Sequence, residues 1–249
     1  MMHVAVLSDI HGNARALDAV AADIERREID QVVNLGDCVY GPFDPRLVME
    51  RLMSEDIATV RGNEDRILAD VAAGRPASRT ATFTVERLAA DHLDWLSRLS
   101  STRVEHGMLL IHGTPSDDTT YLLCVVRHGR LAERPKDEID GLLSRCVERI
   151  ILCGHDHTSR VVRLPDGRMI INPGSVGCPA YVDDAPPHVV EAGTPHARYA
   201  IVRVGETIDV EAIRVSYDWD GAAREVGQSG FPDWAYALRT GWTGTRGVD

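Results

Sequence analysis

Five short segments of the chain place carboxylates, an amide and imidazoles at the ends of apolar runs. "HVAVLS" (3–8) leads into Asp9 and His11, "QVVNLG" (31–36) into Asp37, and "IATVRG" (57–62) into Asn63; "MLLIHG" contains His112, and "IILCGHDH" ends in His155 and His157. A lone buried histidine is usually a satisfied core residue. Seven metal-capable side chains at five strand ends are better explained as ligands. Asp9 and His11 are two apart, as are His155 and His157, so in an extended segment both side chains of a pair point the same way. Neutral imidazole with carboxylate suits Mn, Fe, Zn or Ni and selects none of them by softness. Seven donors exceed the needs of one tetrahedral ion. They fit two divalent ions sharing a bridging carboxylate. Two ions about 3.5–4 Å apart clamp a phosphoryl group and sharpen a water into hydroxide. After Asp9 and Asp37 offset part of their charge, roughly +2 remains on the site.

The elements that must position these residues are legible as apolar runs. After the strand at 3–8, "NARALDAVAADIERRE" (13–28) has amphipathic helical spacing. Strands at 31–36 and 57–62 flank a helix near 45–55. Helical patterns cover much of 64–99, with "GRP" (74–76) as a break. Short strands are expected near 102–111, a helix at 141–148, and strands at 149–154, 160–164 and 168–172. The last strands are placed at 198–204 and 207–215, with two short helices in 218–240. Early strand–helix alternation implies a parallel sheet; the later hairpins add antiparallel strands. The carboxyl ends of strands in an open α/β sheet share one edge, where ligands bind.

Composition narrows the function classes. The 249 residues are 44% hydrophobic and 26% charged, ordinary for a globular chain. Five cysteines without framework spacing favour reduced thiols in the cytoplasm over a disulfide scaffold. The start "MMHVAVLSD" has no signal-peptide pattern, and no apolar run is long enough for a membrane span. The net charge of −11 and a single lysine among 27 basic residues argue against stable nucleic-acid or anionic-membrane binding. A phosphate could still reach the metal pair, since surface charge is screened beyond about 8–10 Å.

The order "DIH", "GD", "GN", "HG" and "GHDH" resembles that of the calcineurin-like metallophosphoesterases. "NPGSVG" (172–177) and the general layout resemble their small prokaryotic phosphodiesterase branch. The resemblance covers most of the chain; its motifs are specific in combination and weak singly. It implies an α/β fold, a four-layer α/β/β/α sandwich with two mixed sheets, as one domain over 1–249 with a helical tail at about 218–240. It also implies that Asp9, His11, Asp37 and His157 hold one ion. Asp37, bridging, would join Asn63, His112 and His155 around the other. The implied reaction is hydrolysis of a phosphoester, diester or monoester, on a small or nucleotide-like substrate, by in-line attack of a metal-bridging hydroxide, with Asp37, Asn63 and Glu64 as catalytic positions.

The chain also departs from that pattern. The family's Gly-Asn is usually followed by a histidine that donates a hydrogen bond or proton; here "RGNED" has Glu64, then Asp65 as the expected acid. "GDCVYG" lacks the phosphate-binding arginine of the protein-phosphatase branch, which weakens a Ser/Thr protein phosphatase reading. A metal-poor scaffold for protein partners is the alternative from a different class, though scaffolds typically show eroded ligands. Asn63 could cap the helix that follows it, and Asn13 reads more readily as a cap than as a substrate ligand. Cys38 and Cys153 adjoin ligands but read as small buried hydrophobes. Loop 178–196 is too polar and proline-rich for a core element; a surface loop is the default, with lid or dimer contact as the other reading. His128, His188 and His196 are expected at the surface, and homo-oligomer formation is left open.

Overall fold

Along β1 (Met2–Leu7), Val4 and Val6 enter one hydrophobic layer while Ala5 and Leu7 enter another. That period of two recurs on every central strand and sets the layering. The computed structural model describes residues 2–29 and 31–244. In chain order, β1 is followed by α1 (Ala14–Arg26), β2 (Gln31–Asn34), α2 (Arg46–Ser54), β3 (Ala58–Thr59), α3 (Asn63–Ala72), α4 (Arg79–Val85) and α5 (Ala90–Arg98). Next come β4 (Thr102–Glu105), β5 (Met108–Ile111), β6 (Cys124–Arg127), β7 (Arg130–Glu133), α6 (Lys136–Leu142), β8 (Ile150–Leu152), β9 (Arg160–Arg163) and β10 (Met169–Asn172). The chain closes through β11 (Ala180–Asp184), β12 (Pro187–Glu191), β13 (Ala197–Val204), β14 (Ile208–Val215), α7 (Trp219–Gln228) and α8 (Pro232–Thr240).

Two five-stranded mixed sheets carry the fold, ordered β14-β13-β1-β2-β3 and β4-β5-β8-β10-β9. β1, β2 and β3 run parallel, as do β5, β8 and β10; hairpin partners complete both sheets antiparallel. The sheets face each other across Val4, Val6, Val33 and Leu35 on one side and Met108, Leu110, Leu152 and Ile171 on the other. The first sheet's outer face packs against α1 and α2 through Leu17, Val20, Val48 and Leu52. The second sheet's outer face is covered by Ile139 and Leu143 at α6 and by residues around β6 and β7. The result is an α/β fold of mixed sheets flanked by helices. Among the described residues no helix is long and apolar enough to cross a membrane.

Three local expectations need correction. The helix expected at 141–148 is α6, ending at Leu142; it begins behind Pro135, and Ile139 rather than the later "LLSRC" anchors it. Segment 178–196 is not a featureless loop: β11 and β12 form a hairpin that joins β6 and β7 in a four-stranded sheet, ordered β11-β12-β7-β6. His188 is buried within that hairpin, where its Nε2 lies 2.8 Å from the Tyr121 hydroxyl.

Candidate metal centre

The site lies where the parallel strands end. β1 stops at Leu7, β2 at Asn34 and β8 at Leu152, so the proposed ligands sit in the turns just beyond and not within extended backbone. Asp9, His11, Asp37, His155 and His157 have φ of 56°, 52°, 53°, 70° and 52°. This left-handed region is uncommon for residues with a Cβ, and backbone strain of this kind concentrates at functional sites. The paired side chains therefore converge because tight turns aim them, not because an extended strand does. Neighbouring glycines make room. A Cβ on Gly62 would lie 2.0 Å from Asp37 Oδ1, and one on Gly154 would lie 2.0 Å from Ser8 Oγ.

Six of the seven proposed ligands fall in groups whose donor atoms lie within 4.8 Å of one another, and Asn63 joins them through His112. Asp9 and His11 group with Asp37, and Asp37 also groups with His112 and His155. Asp37 thus belongs to both halves of the centre. His157 Nε2 lies 3.2 Å from Asp9 Oδ1 and 3.2 Å from His11 Nε2. His112 Nε2 lies 3.2 Å from Asp37 Oδ2 and 3.1 Å from Asn63 Oδ1.

The hydrogen bonds behind these side chains decide which atoms are free. His11, His112 and His157 turn Nδ1 to the carbonyls of Tyr40, Leu35 and Cys178, at 2.9, 2.7 and 2.7 Å. His155 turns Nε2 to the Thr119 carbonyl at 2.9 Å. A carbonyl only accepts, so each of these nitrogens carries the proton and the opposite nitrogen is left as the donor to a metal. Asp9 is anchored in the same way. Its Oδ2 accepts from Ser8 Oγ at 2.5 Å and from the His155 amide at 3.2 Å, while its buried Oδ1 has no hydrogen-bond partner. Asp37 Oδ1 accepts the Glu64 amide at 2.9 Å. With the imidazoles neutral, their free nitrogens and the two carboxylates present lone pairs to a common point. The donor set fits divalent ions of the kind that take mixed nitrogen and oxygen ligands.

Charge within the metal-free cluster is balanced by protons. Burial alone would raise Asp9, but His157, His112 and His11 hold it well below the usual carboxylate range. Burial disfavours charge on His112, yet Asp37 and Asp9 lift it to about 10. His11 is lifted against burial to about 9 by Glu64, Asp37 and Asp9. His155 falls to about 4 through burial and the nearby charge on His112.

The "RGNED" segment resolves differently from a simple cap. Gly62 is the N-cap of α3, and Asn63 starts the helix with its side chain directed to His112. Asp65 serves the backbone: it accepts from the amides of Asp37, Cys38 and Gly62, each at 2.9 Å, tying two ligand-bearing turns together. Glu64 Oε2 lies 3.1 Å from His11 Nδ1, the ring nitrogen opposite the one that faces His157. Burial and Asp37 raise its carboxyl to about 7. Asn13 caps α1, accepting the Ala16 amide at 3.1 Å.

Two contributors were not evident in the sequence. Cys178 is buried and its sulfur groups with His11 and His157; burial pushes its thiol well above the ordinary value. Its place directly after "NPGSVG" was the available signal. Tyr181, on β11, donates to the His155 carbonyl at 3.0 Å, and its ring packs edge-on to His157 at 4.6 Å. Cys38 and Cys153 are buried with thiols raised well above the usual range, so neither is a ready nucleophile.

The chain has relatives among known proteins. Residues 2–194 match the family model described as the calcineurin-like phosphoesterase superfamily domain. An uncharacterised protein of Methanocaldococcus jannaschii is 25% identical over 246 residues, covering 93% of this chain and 94% of that protein. The crystal structure of a metallophosphoesterase from Sphaerobacter thermophilus superposes with a TM-score of 0.75 at 24% identity, over 97% of this chain and 99% of that one. A hypothetical protein from Pyrococcus horikoshii OT3 also gives a TM-score of 0.75, at 20% identity, over 98% of this chain and 100% of that one. At these identities the structural likeness speaks for the fold.

Proposed function

This chain belongs to the calcineurin-like phosphoesterase superfamily, and from that premise we propose that it is a dinuclear metal-dependent phosphoesterase of the small prokaryotic phosphodiesterase kind, acting on small or nucleotide-like substrates. The observation that carries the reading is the position of Asp37, common to the Asp9/His11 group and the His112/His155 group. Asp9, His11, Asp37 and His157 would hold one ion; Asp37, Asn63, His112 and His155 would hold the other. Bound there, two divalent ions supply Lewis-acid stabilisation of phosphoryl oxygens and a lowered pKa for water.

The chain's own residues prepare that chemistry. Four backbone carbonyls fix the imidazole tautomers, and the Glu64 amide and Ser8 hydroxyl orient the two aspartates. Asp65 sets the spacing between the turns that carry Asp37 and Asn63. Glu64 stands behind His11, whose Nδ1 proton is held by the Tyr40 carbonyl, and acts on that ring through an electrostatic contact at 3.1 Å and not a hydrogen bond. We assign Glu64, which stands in place of the family's usual histidine, no leaving-group role, so good leaving groups are favoured. A complete and preorganised ligand set also speaks against a metal-poor scaffold. The test is a screen of metal-reconstituted protein against p-nitrophenyl phosphate, bis-p-nitrophenyl phosphate and a nucleotide panel. Turnover that chelation abolishes and Mn²⁺ restores supports the proposal, and no turnover with Mn²⁺ or Fe²⁺ contradicts it.

A further inference from the structure

A cavity of about 350 Å³ opens beside His112, between the start of α3 and the turn before β6. Arg61, Arg66, Asp117 and Asp118 line it, with Ser101 and Ser116; the His112 imidazole is its one aromatic ring among the described residues, and no Phe, Tyr or Trp lines it. The charged groups are not equally committed. Arg66 grips both oxygens of Asp118, from Nε at 2.9 Å and Nη2 at 2.8 Å. Asp117 spends its carboxylate on its own turn, accepting from the Thr119 amide and from the hydroxyls of Thr119 and Thr120 at 2.9, 2.7 and 2.5 Å. Arg61 is the exception. Its nearest carboxylate oxygen, on Asp118, is 3.8 Å away and already engaged, and its Nε is buried with no acceptor. A buried donor without an acceptor is costly to keep, and the backbone that carries it is held by the Arg61 amide, which donates to the Ser100 carbonyl at 2.8 Å.

We propose that Arg61 is the specificity-determining residue of a second subsite, which takes a non-scissile phosphoryl group joined to the scissile one through an anhydride oxygen. The inference rests on the phosphoesterase reading above and names its substrate class. A planar guanidinium fork suits the oxygens of a phosphate. The lining's formal charges balance, so selection comes from placed donors and not from a broad positive field. The only ring lining the cavity, that of His112, is engaged by the Leu35 carbonyl, Asp37 and Asn63, so a compact polar group fits the cavity better than a stacked base. In the reaction, the oxygen of water bonds to the scissile phosphorus and the bond from phosphorus to the bridging oxygen breaks. That oxygen keeps the electron pair and leaves on the second phosphoryl group, and the proton lost by water passes to solvent. Arg61 offsets the charge gained by the leaving phosphate, which needs no acid, in keeping with Glu64 standing where the family has histidine.

Calorimetric titration of the Mn²⁺-loaded protein, at fixed free Mn²⁺, reads the subsite without turnover. Imidodiphosphate, a pyrophosphate analogue with a stable bridge, should bind about tenfold more tightly than orthophosphate. Arg61→Ala should remove that preference by weakening imidodiphosphate far more than orthophosphate, and Arg61→Lys, which keeps the charge without the fork, should restore only part of it. Equal binding of the two anions by wild type, or an unchanged ratio in Arg61→Ala, overturns the subsite. Such a result beside Mn²⁺-dependent turnover of any substrate in the screen above leaves the phosphoesterase reading standing; without turnover of any of them both fall.

Discussion

Nε2 of His11 and Nε2 of His157 face each other across 3.2 Å, and each ring has already committed its Nδ1 proton to a backbone carbonyl. With both rings neutral, lone pairs so placed repel; a proton on His11, whose ring is raised to about 9, or a metal ion relieves that repulsion. Asp9 Oδ1, buried and without a hydrogen-bond partner, points to the same place. The fold thus holds an electron-rich pocket together by packing and by hydrogen bonds from behind.

Replacing Asp37 tests the sharing of one carboxylate by both halves of the centre. Asp37→Asn should lower turnover by about 100-fold or more and reduce bound metal by more than one ion per chain. Loss of a single ion with the other held at wild-type affinity would show that Asp37 serves only one half.

The protonation pattern predicts a pH-dependent gap between metal-free and metal-loaded protein. His11 and His112 are raised to about 9 and about 10 from an ordinary value near 6.5. Their protonated forms therefore stabilise the fold fully below about pH 6.5, and that contribution is lost as pH rises through about 9 and 10. His155, lowered to about 4, acts in the opposite direction: its contribution is present above about 6.5 and lost as pH falls toward about 4. Chelated protein should lose Tm between pH 6.5 and pH 9.5, while Mn²⁺-loaded protein, with ions in place of those protons, should change less. Scanning calorimetry of both forms over that range measures the gap, and a gap independent of pH would contradict the assignment.

Glu64 contacts the rear of His11 at 3.1 Å, which suits a positioning role. Glu64→Gln should change rates with p-nitrophenyl esters by less than about tenfold, or about 1.4 kcal/mol. The check is the dependence of rate on leaving-group pKa in both proteins. A shallow dependence in wild type that steepens in the mutant would make Glu64 the acid instead.

Asp65 hydrogen-bonds to none of the four histidines, yet it joins two ligand-bearing turns through three amides. Asp65→Ala leaves those buried donors unsatisfied and should cost about 3 kcal/mol or more. For a chain of this size that corresponds to a Tm lower by roughly 6–12 °C. An unchanged Tm would mean that the turns hold their shape without it.

Much of this architecture could be read from apolar runs because buried parallel strands advertise themselves. "HVAVLS" and "MLLIHG" are apolar on both faces, since each strand lies between two packed layers. The hairpins β6–β7 and β11–β12 have no such signal. "RLAE" and "AYVDD" are mostly half-buried or exposed, and their register depends on partners far away in sequence. His188 was placed at the surface for the same reason, because its burial depends on Tyr121 and Tyr181 meeting it in space. The proposed ligands were recognisable by type and order, but not the way they are aimed. That depends on left-handed turns at Asp9, His11, Asp37, His155 and His157, a conformation that Asp and His adopt more often than most residues with a Cβ but still too seldom to be read from sequence. The cap was displaced by one residue for a physical reason: Asp65 reaches back to the Gly62 amide and frees the Asn63 side chain for His112.

The most direct test is anomalous diffraction from crystals of the Mn²⁺-reconstituted protein, collected on both sides of the manganese edge. The account predicts two peaks flanking the Asp37 carboxylate, one bounded by Asp9, His11 and His157 and the other by Asn63, His112 and His155. A fully loaded crystal with no peak at Asp37, or with ions bound only elsewhere on the chain, would contradict it.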